Sequence, residues 1–88
     1  MKNRGYYVLA FDSTHNAIKT ENLLKRRGVE GEMIPTPRDI DVSCGLSIRF
    51  PENALERVLE AVDVAADRVE LYWGIEVKGK TVYMKKKI

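Results

Sequence analysis

Apolar and polar residues alternate along several short segments of the chain, and this pattern predicts strands. Residues 6–11, YYVLAF, are aromatic, β-branched and apolar, which is typical of a buried strand. LSIRF at 46–50 alternates strictly, and so does VELYWGIEV at 69–77. EMIP at 32–35 predicts a shorter strand that ends at its proline, and TVYM at 81–84 predicts a last strand after a turn. In the 69–77 strand, the side chains expected to face the core are Val69, Leu71, Trp73, Ile75 and Val77.

Two other segments carry the signals of helices. Residues 14–27 contain good helix formers, with Asp12 or Ser13 as the predicted cap and Gly28 as the predicted stop. Residues 52–66 place apolar side chains at the i, i+3, i+4, i+7 spacing of an amphipathic helix. The apolar positions of this second helix are Leu55, Val58, Leu59, Val62, Ala65 and Ala66.

The order of these elements is β-α-β-β-α-β with an extra C-terminal edge strand. We predict an α+β protein, a ferredoxin-like sandwich in which two helices cover one face of an antiparallel sheet. The chain of 88 residues is long enough for a single domain, 1–88. In this topology the first strand lies beside the third and antiparallel to it. The ends of the first two strands and the start of the third are therefore expected at one end of the sheet.

The composition of the chain excludes some classes of function but says little about the fold. Hydrophobic residues make up 44% of the chain and the net charge is +2, so the sequence does not demand nucleic acid as a partner. No segment approaches the roughly 20 apolar residues of a membrane helix, and the first residues run into a strand without the features of a cleavable signal. We expect a cytoplasmic protein with no membrane partner. One histidine and one cysteine are too few for a zinc site within one chain, and we expect neither a metal nor a cofactor.

Cys44, the only cysteine, is the candidate for chemistry. The topology brings it to the end of the sheet where the first helix begins, and helix N-termini and nearby cations favour the reactive thiolate. Free backbone amides in a first helical turn also bind anions. A small buried hydrophobic side chain is the competing interpretation of Cys44, and both stay open. The predicted site comprises Ser13, Thr14, His15, Thr36, Arg38, Ser43, Cys44 and Gly45.

Several stretches resemble a known family. They are FDSTHNAIKTENLLK, IPTPRDIDVSCGLSIRF and the amphipathic helix that follows, and they resemble the selenium/sulfur carrier protein-like family of short bacterial and archaeal proteins. The most specific parts are the hydrophobic–proline–x–proline–arginine run at 34–38 and the serine-cysteine-glycine at 43–45. The likeness covers residues 6–73. It implies that Cys44 accepts and donates sulfur or selenium as a persulfide or selenosulfide, with donor and acceptor proteins as partners. It also implies a carrier protein rather than a stand-alone enzyme.

Two alternative functions need no reactive cysteine. In one, the protein is a regulatory or assembly module whose open sheet face forms a homodimer. In the other, that face binds single-stranded RNA through Tyr6 and Tyr72 beside Arg49, although the third strand lacks the aromatic-rich signature of RNA-recognition sheets. Conventional hydrolysis is not expected, because the chain shows no nucleophile-base-acid set and no glycine-rich phosphate loop.

Overall fold

A computed structural model of the chain describes residues 5–40, 45–63 and 68–87. Within these ranges the chain forms a sheet of five strands, with helices on one of its faces. The elements are β1 (Gly5–Ala10), α1 (Thr14–Arg26), β2 (Glu32–Pro35), β3 (Leu46–Pro51), a 3₁₀ turn (Glu52–Ala54), α2 (Leu55–Ala61), β4 (Glu70–Val77) and β5 (Lys80–Lys86).

The strand order across the sheet is β2-β3-β1-β4-β5, and every neighbouring pair is antiparallel. The predicted α+β class is thus confirmed, and so is the pairing of the first strand with the third. The register sets Leu9 of β1 between Ile48 of β3 and Leu71 of β4. These three side chains point to the same face because partners in a ladder share a face of the sheet.

The main core lies between this face and the helices. Leu9, Ile48 and Phe50 from the strands meet Leu24 of α1 and Val58 of α2 there. All five side chains are almost fully buried. Burial of such side chains stabilises the fold by roughly 1.5–3 kcal/mol each.

Two sequence predictions about the core are corrected. Val77 was expected to face the core but is 48% exposed, since it lies at the hairpin end of β4. The second helix was expected over 52–66 but ends at Ala61, and its first turn is a 3₁₀ turn. Val62 follows with an extended backbone (φ −101°, ψ 133°) and a buried side chain. The stretch 64–67, which includes Ala65 and Ala66, lies outside the described residues.

The final strand is longer than the sequence pattern predicts. TVYM predicts 81–84, whereas β5 runs from Lys80 to Lys86 and pairs with β4 from Val77 to Leu71. The additional positions are lysines, which tolerate an edge strand because their charged ends reach solvent. The hairpin turn has positive φ at Lys78 (52°) and Gly79 (82°), as turns with the twist of a hairpin require.

The face of the sheet away from the helices carries a second, smaller core. Val8 and Ala10 of β1 are 0% exposed, and Ile40 of the connector between β2 and β3 is 4% exposed against them. The turn that delivers Ile40 is closed by its backbone N–H, which donates to Pro37 O over 3.0 Å. The face that the sequence predicted to be open is therefore partly covered by the connector.

Candidate functional site

The ends of β1 and β2 and the start of β3 lie at one end of the sheet. Ala10, the last residue of β1, pairs with Ser47, and Pro35, the last residue of β2, pairs with Leu46. The segments that follow β1 and β2 and the segment that precedes β3 therefore leave the sheet together. We call this end the connector corner. It is the place at which the sequence predicts the candidate site.

Hydrogen bonds join β2 and β3 at the connector corner. The Thr36 backbone N–H donates to Gly45 O over 2.9 Å, and the Thr36 and Ser47 hydroxyls are 2.7 Å apart. Ser47 is fully buried, so this bond satisfies a hydroxyl that would otherwise be costly to bury. Gly45 is exposed, and a Cβ atom added to it would meet no neighbour within 4 Å. Of the predicted site residues, Thr36 and Gly45 are thus in direct contact; Gly45 is exposed and Thr36 is half-buried.

Ser13 caps helix α1, as the sequence predicts. Its Oγ accepts a hydrogen bond from the Asn16 N–H over 3.1 Å, and its carbonyl accepts one from the Ala17 N–H over 3.2 Å. The Asn16 side-chain amide also donates to Asp12 Oδ1 over 3.3 Å. No acidic residue lies in the first turn of α1, so the positive end of the helix dipole is offset only by carboxylates outside that turn. Ser13 therefore has a structural role that orders the start of the helix.

The remaining predicted residues divide into exposed side chains and positions outside the described residues. Thr14 and His15 are exposed in the first turn of α1, and Arg38 is exposed on the connector. Ser43 and Cys44 lie outside the described residues, between Ile40 and Gly45. The functional roles of all these side chains remain predictions.

A row of polar and aromatic side chains crosses the face of the sheet away from the helices, and half of it was not predicted. Arg49 donates to Glu32 Oε1 over 2.6 Å, and its Cζ lies 5.3 Å from the centre of the Tyr6 ring. The Tyr6 and Tyr83 hydroxyls are 2.9 Å apart. The Tyr83 ring covers Gly74, where a Cβ atom would lie 2.8 Å from it. We call Glu32, Arg49, Tyr6 and Tyr83 the cross-sheet row.

The sequence predicted only part of this row. Tyr6 was expected beside Arg49, and the cation–π contact confirms it. Tyr83 and Glu32 were missed, although a glycine on β4 opposite an aromatic residue of a neighbouring strand was an available signal. The Arg49 guanidinium lies over one face of the Tyr6 ring, and the RNA-binding alternative stays a prediction.

Tyr83 gives the cross-sheet row a measurable pH dependence. Burial raises the pKa of Tyr83 from 10.0 to about 12, and the hydrogen bond with Tyr6 adds to the rise. Between these two values the unfolded phenol loses its proton while the folded one keeps it, so the free energy of unfolding falls as the pH rises. After allowance for solvent screening, the Tyr83 contribution is of order 1 kcal/mol.

We expect the variant Tyr83→Phe to lose less stability than the wild type across this pH window. Urea denaturation at a series of alkaline pH values measures the difference. Equal losses in the two proteins would show that Tyr83 ionises as easily in the folded chain as in the unfolded one.

An open cleft of about 650 Å³ lies at the opposite end of the sheet from the connector corner. It is formed where β1 and β2 begin and β3 ends. Its lining residues are Gly5, Tyr6, Val29, Glu30, Gly31, Glu32, Arg49, Phe50 and Pro51. None of the predicted site residues contributes to it, so the cleft and the connector corner are separate features.

Two other kinds of feature are absent from the described ranges. No three His, Cys, Asp or Glu side chains within residues 5–40, 45–63 and 68–87 are grouped closely enough to hold a metal ion. No helix in this part of the chain has the length and apolar character needed to span a bilayer.

Comparison with known proteins gives one match. A family model described as "Putative Se/S carrier protein-like" matches residues 6–79, which is most of the chain and includes the connector corner. No curated protein and no solved structure matches the sequence.

Proposed function

Because the chain belongs to the putative Se/S carrier protein-like family, we propose that it carries sulfur or selenium on the Cys44 side chain. The observation that carries this proposal is the family match itself, which spans Cys44 and both connector motifs of the sequence. The protein then works as a carrier between a donor and an acceptor protein. Its own contribution is to hold the chalcogen at an accessible place.

The described chain around Cys44 suits such a role. Gly45, its neighbour, is exposed and has open space around it, so a partner's active-site loop can approach. The hydrogen bond from Thr36 fixes the Gly45 carbonyl at the start of β3. Ile40, on the other side of the segment, is buried against the sheet. Ile40 and Gly45, the described residues on either side of 41–44, are thus both held against the sheet.

The transfer step is a thiol–disulfide exchange. The Cys44 thiolate attacks the outer sulfur of a donor persulfide; a new S–S bond forms on Cys44, the donor's S–S bond breaks, and the donor leaves as a thiolate. The proton released from the Cys44 thiol ends on the donor thiolate, so no oxidant or reductant is consumed. A nucleophilic thiolate of the acceptor then removes the outer sulfur by the same step. Selenium follows the same course as a selenosulfide.

Positive charge near the sulfur would favour the reactive anion. Arg38 adds a cation on the connector, and the first turn of α1 contains no acidic side chain, although Asp12 precedes it. His15 is exposed in that turn and would pass the thiol proton on towards the departing donor thiolate. Ser43 would add a hydrogen-bond donor for an anionic sulfur species. A reactive thiol of this kind fits a reducing, cytoplasmic compartment.

The fold that presents this site is, in our proposal, a ferredoxin-like sandwich. The order β2-β3-β1-β4 with both helices on one face supports it, and β5 extends the sheet beyond β4. Such a topology delivers the end of β2 and the start of β3 beside the start of α1.

Intact-mass spectrometry tests the proposal. We expect the wild type, incubated with a cysteine desulfurase and cysteine, to gain the mass of one sulfur atom that a reductant removes. The variant Cys44→Ser should show no adduct. A matched control combines Cys44→Ser with Ile18→Cys, which moves the lone thiol to an exposed position on α1. This control should load much more slowly than the wild type.

Three results would contradict the carrier role. They are a wild type without an adduct, an equal adduct on Cys44→Ser, and equal loading of the relocated thiol. The last would mean that any exposed cysteine of this chain accepts sulfur.

A further inference from the structure

An apolar patch lies on the helix side of the β4–β5 hairpin. Trp73 pairs with Met84 and Ile75 pairs with Val82, while Val77 adjoins them at the hairpin end. Val82 and Met84 are 44% and 47% exposed, and Trp73 and Ile75 are half-buried. We call these five residues the hairpin patch. Large contiguous apolar surfaces of this kind mark interaction sites.

The hairpin patch is exposed because the hairpin extends past the helices. Leu71, two residues before Trp73 on β4, is only 3% exposed under the helices. Trp73 is held in place from below, since its ring contacts Tyr7 at 4.7 Å between ring centres and covers Gly5. A tryptophan held in place at the edge of an exposed apolar patch is a residue type enriched in binding hot spots.

Charges beside the hairpin patch indicate its partner. Lys80 and Lys86 are on the same face of β5 as Val82 and Met84, one at each end of the patch. The segment 52–63, on the same side of the sheet, is acidic: Glu52, Glu56, Glu60 and Asp63 outnumber Arg57. The 3₁₀ turn that begins this segment contacts β1, the neighbour of β4. Each molecule thus carries lysines at both ends of the hairpin patch and a group of acidic residues at 52–63 on the same side of the sheet.

We propose that the hairpin patch is covered by a second copy of this chain, packed face to face about a twofold axis. In such an isologous interface each contact occurs twice, so the lysines of each copy meet the acidic α2 segment of the other. The two hairpin patches meet at the centre, away from water. This interface is on the opposite side of the sheet from the homodimer that the sequence suggested, and it does not depend on the carrier function.

Addition of strands edge to edge is disfavoured by the same lysines. If β5 paired with β5 of a second copy about Tyr83, Lys80 would lie opposite the second copy's Lys86, and Lys86 opposite its Lys80. Like charges directly opposite one another destabilise a ladder, and lysines on edge strands prevent such pairing. Contact through the face of the hairpin keeps these lysines free to meet carboxylates instead.

Sedimentation equilibrium tests this inference on the full chain. We expect the wild type to sediment with twice the monomer mass. The double variant Val82→Lys/Met84→Lys should raise the dissociation constant by at least about tenfold, because it places additional charges in the apolar centre. Thr81→Lys, on the opposite face of the same strand and opposite Glu76, is the matched control and should keep the dimer. Circular dichroism checks that each variant is folded.

Variants in which the lysines and the glutamates exchange charge distinguish this interface from other modes of dimerisation. Lys80→Glu/Lys86→Glu and Glu56→Lys/Glu60→Lys should each weaken the dimer, and the combination of all four changes in one chain should restore it. A monomer at every concentration up to the solubility limit would overturn the proposal and leave the patch to a different partner. An unchanged dimer in Val82→Lys/Met84→Lys, or no restoration in the combined variant, would also overturn it. Sulfur loading of Cys44 is measured separately and distinguishes these results from failure of the carrier function.

Discussion

Replacement of Phe50 by alanine should lower the free energy of unfolding by about 3–5 kcal/mol. Phe50 is 1% exposed and lies in the main core between the sheet and the helices. Its ring stacks on Tyr7, with 5.5 Å between the ring centres and 20° between the planes. Alanine removes the apolar transfer energy of the ring, leaves a cavity and breaks this stacking. Because small domains are stable by only about 5–15 kcal/mol, the variant should be partly unfolded at moderate temperature.

Urea denaturation followed by circular dichroism measures this loss. Phe50→Leu is the matched control, since it keeps most of the volume and should cost clearly less than the alanine variant. A loss below about 1 kcal/mol for Phe50→Ala would mean that the ring is not enclosed by the core described above.

The variant Ile40→Ala should lower the free energy of unfolding by about 2–4 kcal/mol, although Ile40 lies in a loop. Its side chain is 4% exposed and fills the second core against Val8 and Ala10. A truncated side chain there removes the contact that fastens the connector to the sheet. The connector should then open locally more often than the rest of the chain.

Ile18→Ala provides a control with the same chemical change at an exposed position. Ile18 is 46% exposed on α1, so its truncation should cost less than about 0.5 kcal/mol. Hydrogen exchange should be faster in residues 36–40 of Ile40→Ala and unchanged there in Ile18→Ala. Equal stability losses in the two variants, or unchanged exchange in the connector, would show that Ile40 does not anchor this loop.

Local patterns predicted the elements well because each depends on a few neighbouring residues. The alternation in 46–50 gave β3 its faces, with Ile48 and Phe50 in the main core. The residues before the first helix predicted Asp12 or Ser13 as its cap, and Ser13 is the cap of α1. The order of the elements was enough to bring Thr36 and Gly45 together. Thr36 follows β2 and Gly45 precedes β3, and these two strands pair.

The sequence pattern could not predict how far the helices extend over the sheet. Alternation showed which face Val77 shares with Leu71, but not that the helices stop short of it. The hairpin patch is exposed for the same reason, because the helices do not extend over it.

The connector gave only a weak signal for its main contact. Ile40 and Val42 alternate with polar neighbours in the sequence, but this short pattern does not say against which part of the sheet Ile40 is buried. Its burial follows from the path of the connector across the sheet, which is a tertiary property. The chemistry of Cys44 stays a prediction, because it depends on residues beyond those described.

The cross-sheet row has a mechanical consequence for the whole sheet. Its links run from Glu32 in the strand at one margin, through Arg49 and Tyr6, to Tyr83 in the strand at the other margin. Sliding either marginal strand by one residue would turn its member of the row to the reverse face and separate it from its partner. These side-chain contacts thus fix the register of β2 and β5, the two edge strands of the described sheet. A shift in the register of either edge strand is therefore disfavoured. Incorrect pairing between molecules, which such a shift would start, is disfavoured as well.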